Sequence, residues 1–348
     1  MLVVGGGVVG CAVALEAAGR GATVVLLERE RLAAGASYGA GGMLAPQVEA
    51  DRPGPLLELG LRARAMFPGW CAALEGAAGL DMGGILRVVA TEAGADALRE
   101  RARWQRAMGL VARLCDPAEC AELAPGGASA VLGLWVPDGR VDAHGFTLAV
   151  AQAALRAGAQ IRLGVPVSRV LDGAVEAAGT RWEAGAVVVA AGAWSGLLCG
   201  VPVAPVKGQR LMLRHTGAPL PLTLWSDRCY LVPKAGGRVL VGATEEPEAG
   251  FDRRATVAGV AALAAAAAAT LPALAAAELE EAWAGFRPAA PDRLPLLGRL
   301  PGHERTWLAT GHHRNGILLA PLTGLLLAEA ILEGAALPAA CDPGRLQA

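Results

Sequence analysis

The chain has 348 residues, 54% hydrophobic and 18% charged, with a mean hydropathy of +0.41 and a formal net charge of −1. A chain this apolar can bury a large core over about two domains, which excludes a disordered protein. The near-zero charge offers no electrostatic basis for a nucleic-acid or anionic-membrane partner.

The first element is a short β-branched run, Val3-Val4, followed by Gly5-Gly6-Gly7-Val8-Val9-Gly10. An apolar helical stretch over 11–18 comes next, and a second strand over 22–27 ends at Glu28. The spacing Gly5-x-Gly7-x-x-Gly10 permits a tight turn, a close approach of backbone to a pyrophosphate, and tight packing of helix on strand. Glu28 falls roughly 20 residues beyond the glycines, where a carboxylate accepts hydrogen bonds from ribose hydroxyls. The four residues before Gly5 make the first strand short for the centre of a parallel sheet. Either the true start lies upstream of Met1, or the strand is truncated and the site less rigid. The same N-terminal run lacks the basic leader of a signal peptide.

Residues 36–46, rich in Ala and Gly, read as a loop able to lie against a flat ligand ring. Helices are expected over 56–74 and 95–108, with a strand over 84–90 between them. Asp142 is placed to cap a helix reaching Ala157. Strands follow over 160–163, 167–171 and 186–190, the last running into the small-residue turn Ala191-Gly192-Ala193. From Val206 the pattern becomes short strands with turns, over 209–214, 229–234 and 238–244, which marks an antiparallel sheet. An alanine-rich helix over 256–269 covers it. The chain ends with a strand over 306–310, the turn 311–316 and a last helix. Two apolar stretches, 257–277 and 316–332, are interrupted by Pro272 and by Pro321 with Glu329, so neither is expected to span a membrane. The seven cysteines are odd in number and scattered, with no CxxC pair, which fits a reduced cytosolic compartment and no structural metal. His312 and His313 are adjacent and project apart, so no metal site is expected there.

No HExxH or Walker motif is present, and the glycine fingerprint at Gly5 points to redox chemistry on a bound dinucleotide. The fold expected is α/β, a Rossmann-like dinucleotide-binding domain interleaved with an antiparallel-sheet α+β substrate domain. The first takes residues 1–82, 139–200 and 287–348; the second takes 83–138 and 201–286.

Several segments then carry a family resemblance: GGGVVG at Gly5, AGGML at Ala40, AAGAWS at Ala190, CYLVPK at Cys229, VGAT at Val241, WAGFRPAAPDRLPLLG at Trp283 and GHHRNGILLAPLTG at Gly311. Together they resemble the FAD-dependent amine oxidases of the D-amino-acid oxidase and sarcosine oxidase type, and most closely the glycine oxidases of thiamine biosynthesis. The resemblance implies noncovalent FAD. Gly5, Gly7, Val8, Val9 and Gly10 would cradle the pyrophosphate, with Glu28 on the adenosine ribose and Arg29 beside it. Ala36, Ser37, Gly41, Gly42 and Met43 would line the pyrophosphate and flavin, Val167 would meet the adenine, and Ala191 and Gly192 belong to the same site. The turn His312, His313, Arg314, Asn315, Gly316, Ile317 and Leu318 would close over the isoalloxazine. Arg287 would anchor the substrate carboxylate, Tyr230 would add a hydrogen bond, and Arg314 would lie near the substrate. An arginine fork pairs bidentately with a carboxylate, so Cα–H would be fixed over flavin N5.

The activity implied is oxidative deamination of glycine or another small amino acid or amine. Dioxygen would be reduced to hydrogen peroxide, and the imine would supply thiazole synthesis. A homotetramer is also implied. Two other enzymes of the same fold are weighed: a D-amino-acid dehydrogenase with a quinone acceptor, and the flavin-dependent domain of a tRNA-modifying enzyme. The first lacks a basic amphipathic helix, and the second lacks clustered cationic side chains. Glu245 follows VGAT where a methionine is expected, and it is read as an exposed strand end. His313 stands where an aromatic is expected.

Overall fold

The computed structural model describes residues 1–74, 78–128 and 130–346, and most of its strands fall into two large sheets. The first sheet has six strands, in the order Leu296–Arg299, Thr306–Thr310, Val187–Val189, Leu2–Val4, Val25–Glu28 and Gln160–Leu163. All are parallel except Leu296–Arg299 at the edge. Leu2–Val4 is central and only three residues long, yet all three are buried and Val3 pairs with both Leu26 and Val188. Burial on both faces explains the continuous apolar character of the central strands Leu2–Val4 and Val187–Val189. On one face lie the helices Val8–Gly19, Pro55–Ala73, Ala143–Arg156 and Gly316–Glu333, joined to Val3, Leu26 and Val188 in one apolar cluster. On the other face Leu2, Val4, Leu27, Val187 and Val189 meet Val175 and Ala177 of a small three-stranded sheet.

Small residues set the helix spacing. A side chain at Gly324 would bring its Cβ within 2.7 Å of the Ala12 carbonyl oxygen, so the first and last helices pack backbone to backbone. The stretch His313–Glu333 is long and apolar enough to cross a membrane, with a mean hydropathy of 1.7, but 72% of it is buried within the protein. It is a core helix. Asp142 caps Ala143–Arg156 by accepting the Gly145 N–H at 3.0 Å.

The second sheet has eight strands, in the order Glu278–Ala289, Ala204–Arg214, Arg238–Gly242, Tyr230–Lys234, Thr223–Trp225, Ile85–Val89, Leu132–Val136 and Arg113–Cys115. Its pairs are antiparallel apart from Thr223–Trp225 with Ile85–Val89. The helix Val257–Thr270 covers it with Leu263 and Ala267 and is capped by Thr256, which accepts the Gly259 N–H.

Two differences from the sequence reading bear on the site. The strand Glu278–Ala289 is not expected from the sequence, because its exposed first half, Glu278-Leu279-Glu280-Glu281, shows no clean apolar alternation. It lies at the sheet edge, where Pro288 withholds no needed ladder hydrogen bond, and it runs through position 287. The loop expected over 36–46 contains the short helix Ala36–Gly39 and the two-residue strand Met43–Leu44, which pairs with Gly139–Arg140, and it leads into the helix Pro46–Glu49.

Candidate active site

One cleft runs from the C-terminal ends of the central parallel strands to the inner face of the eight-stranded sheet. At its first end Gly5 holds a φ of +111°, and a Cβ there would stand 2.5 Å from the Ala190 carbonyl oxygen. Only glycine fits between the two strand ends. The helix Val8–Gly19 has no side-chain cap at Gly7; Val8 N–H donates to Ser37 Oγ at 3.0 Å, and the first return bond is Cys11 N–H to Gly7 O. The N–H of Val9 is therefore left for an anion at the positive end of the helix dipole. Glu28 accepts the Gly6 N–H at 2.6 Å and the Glu30 N–H at 2.9 Å, and each carboxylate oxygen keeps acceptor capacity toward the cleft. Beyond it the Arg29 guanidinium stacks on the Trp194 ring at 3.9 Å, with Val165 and Val167 alongside. Glycine cradle, amide donors and terminal carboxylate together suit a dinucleotide, and the small residues Gly41, Gly42, Ala191 and Gly192 leave a slot for a flat ring.

At the other end stand Arg287, Tyr230, His313, Arg314, Glu49, Arg210 and Trp225. Arg287 is 6% exposed. Its Nη1 donates to Thr244 O at 3.1 Å and Lys207 O at 3.5 Å, and no carboxylate pairs with it among the described residues. Burial lowers its pKa, opposed by Tyr230, while Arg210 and Arg314 lower it further. A cation so placed is relieved by an anion in the cleft. Room for both groups comes from glycine: a Cβ at Gly208 would fall 2.6 Å from the Arg287 nitrogens, and one at Gly242 would fall 2.3 Å from the Tyr230 ring and hydroxyl. Lys234 Nζ donates to Gly41 O at 2.9 Å, steadying the slot, and burial pushes that ammonium down to about 8.

Arg314 Nη2 reaches Glu245 at 2.5 Å, and Arg293 reaches the other oxygen at 3.1 Å. Glu245 therefore lies past the end of Arg238–Gly242, exposed and paired at the cleft mouth, not lining it. Burial raises its pKa, but Arg314, Arg293 and His313 outweigh that and hold the carboxyl below its ordinary value. His313 adopts a φ of +48°, and burial with Arg287 and Arg314 nearby pushes its imidazole down to about 3, so it is neutral. His312 shares a hydrogen bond with Thr323 at 3.0 Å.

Of the residues singled out from sequence, Gly5, Gly7, Val8, Val9, Glu28, Arg29, Ala36, Ser37, Gly41, Gly42, Met43, Val167, Ala191, Gly192, Tyr230, Arg287, His312, His313, Arg314, Gly316 and Ile317 all line this one cleft. Gly10, Asn315 and Leu318 do not. Gly10 faces the Gly5 carbonyl, where a Cβ would fall at 2.0 Å, so it serves helix-on-strand packing. Asn315 closes a turn through its N–H to His312 O, and Leu318 is buried in the core against Gly60. Sequence reasoning missed Glu49, Arg210, Trp194 and Trp225. Arg210 is 5% exposed, and its Nε and Nη1 have no partner among the described residues. The available signal was a charge within the apolar strand 209–214.

Residues 1–330 match the family described as "DAO: FAD dependent oxidoreductase". A glycine oxidase of Geobacillus kaustophilus is 37% identical over 94% of this chain and 92% of its own length. A crystal structure of glycine oxidase from that species superposes with a TM-score of 0.93 at 36% identity, covering 98% of this chain and 97% of the other. A bifunctional protein ThiO/ThiG of Synechocystis is 37% identical over 96% of this chain, which spans 51% of that relative.

Proposed function

The chain belongs to the DAO family of FAD-dependent oxidoreductases, and on that premise we propose that it oxidatively deaminates glycine or another small amino acid or amine. The observation that carries this reading is Arg287, a buried guanidinium without a carboxylate partner among the described residues, which opens on the same cleft as the dinucleotide cradle. Its fork takes the substrate carboxylate bidentately, and Tyr230 donates a further hydrogen bond. With the carboxylate fixed, the substrate Cα–H lies against the slot lined by Gly41, Gly42 and Met43. FAD, when bound there, supplies the hydride acceptor and passes the electrons on, in our reading to dioxygen with release of hydrogen peroxide. Trp225, packed on Tyr230, walls the slot and helps to exclude water, while neutral His313 adds no charge. Arg314, paired with Glu245, stands at the mouth as a second contact for the substrate. The imine product suits thiazole assembly, a reading supported by the relatives that join this part to ThiG.

The test is anaerobic titration of the yellow protein with glycine, followed by admission of air. Bleaching of the flavin band and recovery with stoichiometric peroxide is the expected result. Absence of bleaching with glycine, sarcosine and D-alanine would overturn the substrate assignment, and bleaching without recovery would overturn the acceptor.

A further inference from the structure

Glu49 ends the helix Pro46–Glu49 and lines the cleft together with Arg287, Tyr230 and Arg314. The helix is held firmly from behind. Buried Asp138 accepts the N–H groups of Gln47 at 3.0 Å and Val48 at 2.9 Å, and Arg64 binds both Asp138 and the Gln47 amide oxygen. Arg101 donates to Val48 O at 2.7 Å and Ala50 O at 2.6 Å and pairs with Asp51, while Arg87 donates to Val48 O. Each of the three arginines behind the segment is thus committed to it. The Glu49 carboxylate itself receives no hydrogen bond and no ion pair from the described chain. An acid so fixed, pointed at a cleft and left unpaired, is placed for a cation that is not part of the protein.

Building on the amino-acid oxidase reading, we propose that Glu49 receives the ammonium of the zwitterionic substrate whose carboxylate Arg287 holds, and removes one proton from it. In that step an N–H bond of the ammonium breaks and an O–H bond forms on Glu49. The charges of ammonium and carboxylate cancel, no electrons move, and the amine becomes neutral. A neutral amine is required, because its nitrogen lone pair must be available as the Cα–H bond gives up its hydride.

The groups around Glu49 agree with this role. Burial pushes its carboxyl up to about 7, against Arg314 and Arg287, which pull it down, and with Asp138 and Asp51, which push it up. An acid in that range holds and releases a proton near neutrality. The other basic groups at hand do not serve. His313 is pushed down to about 3, Glu245 is paired to Arg314 and Arg293, and Glu28 lies at the far end of the cleft.

The flavin-loaded Glu49→Gln protein tests the proposal against two ligands, glycine and glycolate, the latter having the carboxylate without the amine. Rapid anaerobic reduction by glycine is followed from pH 6 to 10, and glycolate binding is read from the shift of the flavin band. The expected result is weaker binding of glycine by about tenfold or more and a rising limb displaced upward by about a pH unit. Glycolate binding should be unchanged or tighter, and Glu49→Asp should restore part of the glycine affinity. Equal weakening of both ligands, or an unshifted pH profile, would overturn the proposal. Should the variant fail to fold, wild type alone decides: glycolate affinity must fall above about pH 7 as Glu49 ionises, and a flat profile would refute it. Wild type that no amine reduces would overturn both this inference and the reading beneath it, whereas wild type reduced by glycine with an indifferent Glu49→Gln would overturn this inference alone.

Discussion

Gly208→Ala isolates the role of Arg287 without touching that residue. Gly208 lies opposite Gly285 in the paired strands Ala204–Arg214 and Glu278–Ala289, on the face that carries Arg287. Its φ is not positive, so alanine suits the backbone. A Cβ would stand 2.6 Å from both Nη1 and Nη2 of Arg287 and 2.8 Å from Cζ. The obstructed group is the end of a flexible side chain, which can retreat by about an ångström to reach ordinary contact. Stability should hold or rise by about 0.4–1 kcal/mol, because alanine restricts the unfolded chain. Catalysis should not hold. A displacement of about 1 Å at a substrate clamp costs on the order of 100-fold, or about 2.7 kcal/mol of transition-state stabilisation. The assay is kcat/KM for glycine by peroxide release, beside a thermal melt and the flavin content. In an Arg287→Ala background the same change should add little, since both act through one group. A kcat/KM within about threefold of wild type, or a full loss that persists without Arg287, would refute the clamp.

Gly10→Ala should abolish stable FAD binding, because a Cβ 2.0 Å from the Gly5 carbonyl meets backbone that cannot yield; stoichiometric flavin after gel filtration would contradict this. Glu245→Gln releases Arg314 from its ion pair at the cleft mouth. The pair is partly exposed, so stability should fall by less than about 1 kcal/mol. The KM for glycine should drop by roughly three- to tenfold as the Arg314 charge becomes available to the substrate carboxylate, and a rise in KM would count against it. His312 is buried, and burial pushes its imidazole down to about 4 from 6.5. The neutral ring is thus favoured by folding; its contribution is present above about pH 6.5 and is lost as pH falls toward 4, the loss by then being about 3 kcal/mol. Urea melts of the wild type should lose stability over that window, and His312→Asn should flatten the slope; parallel slopes would exclude the histidine.

The dinucleotide end was legible because its determinants are local. Gly5, Gly7, Gly10 and Glu28 act through one turn, one helix and the next strand, so their spacing alone carries the geometry. The strands 160–163, 167–171 and 306–310 were readable for the same reason, since short runs carrying β-branched or aliphatic residues between turns reflect short-range preference. Arg287 and Tyr230 stood out through extended motifs, although the strand that carries Arg287 did not, because its charged beginning hides the alternation. Nothing local marks Glu49. It becomes part of the site only because Asp138 and Arg101, far away in the chain, and Arg64 on the following helix fix its own helix where two arginines of the last third arrive. Glu245 shows the converse, an acid beside the site by sequence whose partners Arg293 and Arg314 draw it to the mouth. Spacing determines turns, caps and the cofactor cradle. Which charges meet across the cleft depends on how two sheets, each assembled from separated segments, come to face one another, and only the folded chain decides that.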